Sequence, residues 1–258
     1  MQFRGEKLTG RVGVITGAAS GIGAAGAKLF AQEGAKLVLF DRDPKGAQVA
    51  EAICAEGGTA EFVEGDVGDD DTVRRLISGA VKRFGKLDLI WSNAGVPVFK
   101  TIVDTTNNEW NQIVSTNLTG GYLMCKYAIP ELIHAGGGTV VFTASTASFV
   151  GSRRWAAYCA TKGGVLMLAR ATALDYADVN VRVNCVCPGA TDTPLQEADM
   201  RAKLVPYEEA LRDELAAHPM HRYATPEEVA RAALFLSCED SSNTTGSALM
   251  VDGGLTAQ

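Results

Sequence analysis

Short apolar runs recur along the chain and alternate with longer stretches of helical pattern. The runs cover residues 11–16, 36–40, 60–64, 87–92, 138–144, 181–187 and 247–251. They are mostly continuous, without the strict alternation of a half-exposed strand, which is typical of strands buried on both faces of a parallel sheet. The pattern therefore predicts seven strands in a parallel sheet.

The stretches between these runs carry the signals of amphipathic helices. In residues 70–84, apolar side chains recur at three- and four-residue steps: Val73, Leu76, Ile77, Ala80, Val81 and Phe84. Thr225, Pro226 and Glu228 have the positions of an N-cap, a first helical residue and a capping-box acid. Strands alternating with helices predict an α/β fold with a doubly wound parallel sheet, three α/β/α layers and right-handed crossovers, in one domain over residues 1–258.

The connection between the sixth and seventh strands, residues 189–224, is long for such a fold. Long insertions of this kind are often lids or binding loops. We expect a substrate lid here, with one or two short helices in residues 204–217.

Composition and charge narrow the class of protein. The 258 residues are 47% hydrophobic and 21% charged, with a net charge of −6, as in an ordinary soluble globular protein. The mild acidity argues against nucleic acid or an anionic membrane as the main partner, because both attract basic surfaces. No apolar run reaches the length of a membrane span, and residues 1–9 resemble neither a signal peptide nor a transit peptide.

The cysteines and histidines predict neither disulfides nor a metal site. The three histidines do not supply the further ligands that a metal at the close pair Cys185 and Cys187 would need. A disulfide framework is typical of much shorter secreted chains. We expect buried thiols and a cytoplasmic location. The six cysteines are Cys54, Cys125, Cys159, Cys185, Cys187 and Cys238.

A glycine-rich turn, Thr16-Gly17-Ala18-Ala19-Ser20-Gly21-Ile22-Gly23, leads from the first strand into a helix. Glycines allow positive φ and close approach of a ligand, and the helix N-terminus offers free N–H groups to a pyrophosphate. The spacing G-x-x-x-G-x-G differs from the standard G-x-G-x-x-G fingerprint, so a turn that only packs helix on sheet is an alternative. A triphosphate loop is disfavoured, because Ala27 and Lys28 stand where it needs Lys and Ser or Thr.

The end of the second strand indicates which dinucleotide would bind. Asp41 follows the run Leu37-Val38-Leu39-Phe40, at about the 20-residue separation from the glycine turn where an acid accepts hydrogen bonds from an adenosine ribose. Its charge would repel a 2′-phosphate. Arg42 could hold a phosphate, but Asp41 would oppose it. We therefore expect NAD rather than NADP, with an ordinary turn aspartate as the alternative.

A second group of polar residues follows the fifth strand. Ser145 comes just after it, and Tyr158 and Lys162 form a Y-x-x-x-K pair in the strongly helical stretch 155–177. That spacing puts both side chains on one helical face. A lysine ammonium near a phenol lowers the pKa of the tyrosine, which can then act as a base on an alcohol or as an acid on a carbonyl. A surface Tyr–Lys pair is the alternative.

Together these motifs resemble the classical short-chain dehydrogenase/reductase family. The resemblance extends from the first strand to Asp252-Gly253-Gly254. It implies a Rossmann-type seven-stranded sheet, a nicotinamide cofactor, and a homotetramer or homodimer. The motifs in the family's order are the glycine turn, Asn93-Ala94-Gly95, Ser145, Tyr158 with Lys162, and Pro188-Gly189.

The resemblance also implies roles for single residues. Tyr158 matches the acid/base, and Lys162 the residue that contacts the nicotinamide ribose and lowers the tyrosine pKa. Ser145 matches the residue that orients the reacting oxygen. Asn117 matches the asparagine of a water-linked proton relay, although a solvent-facing residue in mid-helix is the alternative. Asp66 and Val67 match an adenine-contacting pair. The implied cofactor-binding residues are Gly17, Ser20, Gly21, Ile22, Gly23, Asp41, Arg42, Asp66, Val67, Asn93, Ala94, Gly95, Tyr158, Lys162, Pro188, Gly189, Thr191 and Thr193.

The segment before Tyr158 offers the clearest indications of the substrate. Trp155 could form a ring-stacking wall or lie at a subunit contact, and Ser145 would meet the reacting oxygen. Arg154, or its neighbour Arg153, could bind a carboxylate or sulfonate, although solvated arginines at a helix start are the alternative.

Three functions are compatible with these motifs. The first is NAD-dependent oxidation of a small, cyclic or polyol-like secondary alcohol to its ketone. The second is reduction of a 3-oxoacyl thioester, which usually takes NADPH, so that Asp41 counts against it. The third is a non-catalytic NAD-binding protein, but this predicts a degraded catalytic set. A hydrolase is disfavoured because G-x-S-x-G and H-E-x-x-H are both absent from the sequence.

Overall fold

The computed structural model describes residues 6–258, and within them seven strands form one parallel sheet. The order across the sheet is β3-β2-β1-β4-β5-β6-β7. All seven predicted strands are present, and their ends differ from prediction by two residues at most. The strands are β1 (Val12–Thr16), β2 (Lys36–Asp41), β3 (Thr59–Glu64), β4 (Leu89–Ser92), β5 (Gly138–Thr143), β6 (Val181–Pro188) and β7 (Ala248–Val251).

Helices cover both faces of the sheet, which confirms the predicted Rossmann-type α/β/α architecture. One core packs α3, α5 and α6 on the sheet, and the other packs α1, α2 and α9 on the opposite face. The α-helices of the described residues are α1 (Gly21–Gln32), α2 (Gly46–Ala55), α3 (Asp70–Phe84), α4 (Asn107–Val114), α5 (Gly120–His134), α6 (Ala156–Tyr176), α7 (Pro194–Ala202), α8 (Tyr207–Ala217) and α9 (Pro226–Ser237).

Local sequence signals explain where individual helices begin and end. At the start of α3 the Asp69 carboxylate accepts the Thr72 N–H at 2.7 Å, and Gly85 ends the helix in the left-handed region at φ 84°. At the start of α9, Thr225 and Glu228 form both hydrogen bonds of the predicted capping box. Helix α3 therefore has the bounds that its sequence pattern indicates, and α9 begins where its capping box predicts.

A π-helical turn, Ser115–Thr119, joins α4 to α5. Such turns contain one extra residue relative to an α-helix and occur often at functional sites. The turn places Asn117 on the inside of the fold, where it is 4% exposed. The alternative of a solvent-facing asparagine is therefore wrong.

The long connection 189–224 contains two helices rather than an irregular loop. The predicted helical part 204–217 forms one helix, α8, and α7 lies before it, where no helix was predicted. A parallel bridge between Thr191 and Ala224 brings the two ends of the segment together. The segment thus leaves the sheet at the carboxyl end of β6 and returns close to the point where it began.

All six cysteines are unpaired. Four of them are buried as expected, whereas Cys159 is partly exposed and Cys54, in α2, is exposed. Across residues 6–258, no helix combines the length and apolar character that a membrane crossing requires. Residues 1–5 of the segment judged not to be a targeting peptide lie outside the described residues.

Candidate active site

A cavity of about 910 Å³ lies at the carboxyl ends of the strands, where the strand order reverses between β1 and β4. This crevice is the usual ligand position in doubly wound sheets. It is lined by almost every residue predicted for the site, including Ser145, Tyr158 and Lys162. Gly23 and Asn117 do not line it, but both lie against residues that do.

The glycine turn uses glycine where the backbone requires it. Gly17 and Gly21 have φ values of 66° and 52°, in the left-handed region that disfavours side chains. A Cβ on Gly23 would lie 2.0 Å from the Gly17 carbonyl oxygen, so only glycine lets α1 begin this close to the turn. The start of α1 therefore lies at the cavity, which Gly17, Ser20, Gly21 and Ile22 line.

Asn93 fixes the glycine turn to the end of β4. Its side-chain amide donates to the carbonyl oxygens of Thr16 and Gly17 at 3.1 and 3.3 Å. Its oxygen accepts the Thr143 hydroxyl at 2.9 Å, and the hydroxyl of Thr16 accepts the N–H groups of Asn93 and Ala94 at 3.0 Å. The ends of β1, β4 and β5 are thus held together by one hydrogen-bonded group.

Asp41 is also bonded to the glycine turn, which its sequence position did not indicate. One carboxylate oxygen accepts the Ala19 N–H and the other accepts the Asp43 N–H, both at 3.0 Å. Each oxygen of an ionised carboxylate has two acceptor sites. Asp41 can therefore hold the turn in place and still accept from a ligand in the cavity.

Ser145, Tyr158 and Lys162 meet at the inner end of the cavity. Their exposed fractions are 8%, 7% and 3%. The lysine Nζ donates to the Thr143 carbonyl oxygen at 2.6 Å and lies 5.5 Å from the centre of the tyrosine ring. The predicted Y-x-x-x-K pair is therefore buried, which excludes the alternative of a surface pair.

Burial shifts the pKa of both members of the pair towards the neutral form. It raises the pKa of Tyr158, and a hydrogen bond with Ser145 acts in the opposite direction. It also lowers the pKa of Lys162 to about 8. Burial thus dominates the pKa of Tyr158 in the chain by itself, and the lowering of that pKa by Lys162 stays a prediction. A buried phenol is in the protonated form that can donate to a carbonyl oxygen.

Asn117 lies next to this group, behind the loop that follows β4. Its side chain accepts the Val96 N–H at 2.8 Å and donates to the Val96 carbonyl at 3.0 Å and to the Thr161 hydroxyl at 3.2 Å. A Cβ on Gly95 would lie 3.5 Å from both Asn117 Oδ1 and Lys162 Nζ. Both distances are ordinary van der Waals contacts, so they show only that position 95 adjoins Asn117 and Lys162.

Aromatic and charged side chains line the cavity beside Tyr158. The Trp155 ring lies edge-on to Tyr158, with 4.9 Å between centroids, and Phe99 lies 5.4 Å from Trp155 on the other side. Arg154 lines the same wall, and the inserted segment contributes Asp199 and Lys203. Sequence reasoning missed Phe99, Asp199 and Lys203, because only the folded chain brings them to the cavity.

The chain is similar in sequence and structure to known proteins of one family. Residues 17–256 match a family model described as Enoyl-(Acyl carrier protein) reductase. A structure described as a short-chain dehydrogenase/reductase from Burkholderia xenovorans is 35% identical, with a TM-score of 0.93 over 98% of this chain and 99% of that one. The chain belongs to the short-chain dehydrogenase/reductase family.

Two further relatives bear on substrate and cofactor within the short-chain dehydrogenase/reductase family. The cis-4-hydroxycyclohexanecarboxylate dehydrogenase of Sinomonas cyclohexanicum is 40% identical over 98% of this chain and 99% of its own. A structure described as an NAD(P)-dependent gluconate 5-dehydrogenase from Beutenbergia cavernae contains bound NADP; it is 32% identical, with a TM-score of 0.92 over 98% and 99% of the two chains. The family relationship supports an oxidoreductase that acts on secondary alcohols.

The residues of this short-chain dehydrogenase/reductase fit a nicotinamide dinucleotide. Gly17 and Gly21 line the cavity at the start of α1 without side chains, and a Cβ at position 21 would lie 3.2 Å from the Thr193 methyl group. The turn after β6 therefore adjoins the glycine turn across the cavity. Asp41 supplies carboxylate acceptors at the end of β2, and the Thr193 and Thr191 side chains also line the cavity.

Proposed function

We propose that this chain transfers a hydride between NAD and a secondary alcohol or ketone, with Tyr158 as the acid/base. One observation carries the proposal: Ser145, Tyr158 and Lys162 line the same cavity as the glycine turn and Asp41. A dinucleotide held by the turn and a carbonyl held by the serine and tyrosine would thus share one enclosed space.

The proposed roles follow from the contacts of each side chain. In the reductive direction a hydride adds to the carbonyl carbon, and the protonated Tyr158 hydroxyl gives its proton to the carbonyl oxygen. In the oxidative direction Tyr158 acts in its deprotonated form, which takes the hydroxyl proton of the alcohol as the hydride leaves the carbon. The bound nicotinamide supplies the hydride acceptor. The Ser145 hydroxyl, already bonded to the Ala147 N–H at 3.1 Å, donates to the reacting oxygen and stabilises its developing charge. Lys162 supplies a positive charge beside the phenol of Tyr158. Asn117 holds the loop after β4 in place through its hydrogen bond with the Val96 N–H.

We propose a ring-shaped alcohol as the substrate. The wall formed by Trp155 and Phe99 offers aromatic surface directly beside Tyr158, and such surface packs well on a saturated ring. The printed name of the Sinomonas relative contains a cyclohexane ring with a secondary hydroxyl. Reduction of a 3-oxoacyl thioester stays the second candidate, because the matching family model is described as Enoyl-(Acyl carrier protein) reductase, which also acts on an acyl thioester.

A substrate panel tests this proposal. We expect ring alcohols such as cyclohexanol to be oxidised with NAD at higher kcat/KM than open-chain alcohols such as 2-hexanol, because only the ring fits flat on Trp155. Absorbance of the reduced cofactor gives the rate. A parallel assay uses acetoacetyl thioester with reduced cofactor. If that compound is reduced and no alcohol is oxidised, the thioester reductase would be the correct function. Cofactor binding with no turnover of any compound would favour a non-catalytic protein.

The choice of NAD rests on Asp41, and NADP in the Beutenbergia structure belongs to that protein. The homotetramer and the cytoplasmic location also stay proposals, supported by the family relationship and by unpaired cysteines. These three properties can be measured independently of the substrate.

We further propose that the segment 189–224, with α7 and α8, closes over the bound ligands as a lid. It forms one wall of the cavity and is tied to the remainder of the site by the Arg154–Ala202 hydrogen bond at 3.3 Å. We expect slower amide hydrogen exchange in α7 and α8 when NAD is added, with α3 unchanged as an internal reference. Equal exchange with and without NAD in α7 and α8 would rule out closure by the cofactor.

A further inference from the structure

Arg154 has an unusual backbone conformation at the edge of the cavity. Its φ is 65°, in the left-handed region that glycine adopts freely and a long side chain does not. It lies directly before α6, the helix that carries Tyr158 and Lys162. Strained residues of this kind persist where the surrounding structure holds them in place, and they cluster at ligand clamps. The unusual backbone conformation therefore occurs at a residue whose guanidinium lies at the cavity.

The side chain of Arg154 has few partners for a partly buried cation. It lines the cavity, and Nη1 donates to the Ala202 carbonyl oxygen at 3.3 Å. A guanidinium has five N–H donors, so most of them remain for another acceptor. None of the ion pairs found within residues 6–258 includes Arg154. A partly buried charge is most stable with an anionic partner.

The other charges on this wall compensate one another. Lys203 forms an ion pair with Glu214 and lies 4.0 Å from an Asp199 oxygen. Burial raises the pKa of Asp199, which favours its neutral form. Arg154 forms no such ion pair: its charge acts on the Asp199 carboxylate only from a distance beyond direct contact, so the guanidinium donors stay open to a further anion.

We propose that Arg154 binds a carboxylate of the substrate, so that the substrate is a ring alcohol with a carboxylate remote from its hydroxyl group. The proposal rests on the proposed function, since it concerns the same cavity. The planar guanidinium fork matches the two oxygens of a carboxylate. Trp155 lies between Arg154 and Tyr158 in the chain and contacts the tyrosine ring. A ring on Trp155 would thus present its hydroxyl to Tyr158 and its carboxylate to Arg154.

The first experiment compares 4-hydroxycyclohexanecarboxylate with its methyl ester, which has the same ring and no charge. We expect the native enzyme to prefer the acid by about 10- to 100-fold in kcat/KM, mainly through KM, as for hydrogen bonds to a charged group. Arg154→Gln should reduce this ratio to near one. Arg154→Lys, which retains the charge but not the fork, should give an intermediate ratio. Arg170→Gln, the same change at an exposed arginine of α6 that does not line the cavity, is the matched control and should retain the preference.

A second variant guards against misfolding. Arg154→Gly adopts φ 65° without strain, so it should fold and still lose the preference for the acid. If Arg154→Gly and Arg154→Gln both retain the preference, Arg154 is not the carboxylate-binding residue.

Direct binding separates this proposal from the proposed function. Cyclohexanecarboxylate has no hydroxyl group to oxidise, so calorimetry measures its Kd without turnover. We expect Arg154→Gln to raise that Kd at least about tenfold and Arg170→Gln to leave it unchanged. Arg154-dependent binding with no oxidation of any alcohol would overturn the proposed function and leave the carboxylate site intact. Oxidation of ring alcohols with a Kd insensitive to Arg154 would overturn the carboxylate site alone.

Discussion

Replacement of Tyr158 by phenylalanine is expected to lower kcat by about 10²- to 10⁴-fold, the range that general acid–base groups contribute. The variant loses the only atom that could exchange a proton with the reacting oxygen at that position. It retains the ring, which lies 4.9 Å from Trp155, so the wall of the cavity and the fold should persist. Initial rates with the best alcohol of the panel give kcat, and calorimetry with NADH gives the cofactor Kd, which should change little.

The matched control is Tyr176→Phe, the same chemical change at the far end of α6, where the side chain packs against the core. We expect its kcat to be close to that of the native enzyme. A Tyr158→Phe variant with native kcat would contradict the acid/base role. Equal losses in both variants would indicate a general effect of removing a phenol from α6.

Asn in place of Asp41 is expected to abolish the preference for NAD over NADP. In the native chain the carboxylate should disfavour the 2′-phosphate by at least about 100-fold, since like charges in contact cost several kcal/mol. Asp41→Asn removes that charge and should bring the two Kd values within about tenfold of each other. NAD binding should also weaken, because an amide oxygen can replace only one of the two acceptors that now meet the Ala19 and Asp43 N–H groups. Calorimetry with NADH and NADPH measures both effects.

Asp43→Asn serves as the control. It removes an equal charge only two residues from Asp41, but the Asp43 side chain does not line the cavity. The native ratio of Kd values should persist in that variant. Tighter binding of NADPH than NADH by the native chain would show that Asp41 does not set cofactor choice, and Arg42 would then be the residue to replace.

The strands and the catalytic group were predictable because their signals are local. A continuous apolar run identifies a buried strand, and Tyr158 and Lys162 lie on one helical face through spacing alone. The conformation of Arg154 was not predictable, because a positive φ at arginine depends on surrounding contacts and leaves no trace in residue type. The effect of burial on the pKa of Tyr158 was not predictable for a related reason: the sequence shows which charge is near the phenol but not how much water burial removes.

The π-helical turn at Ser115–Thr119 makes this site sensitive to chain length. Each residue in a helix advances its neighbours by about 100° around the axis, so one deletion in the turn would convert it to regular α-helix and rotate everything on one side of the deletion by that angle. The backbone hydrogen bonds would be fully satisfied, yet Asn117 would no longer meet both the N–H and the carbonyl of Val96. Among homologues, gaps in this stretch should therefore be rarer than substitutions, since the geometry depends on how many residues are present as much as on which ones.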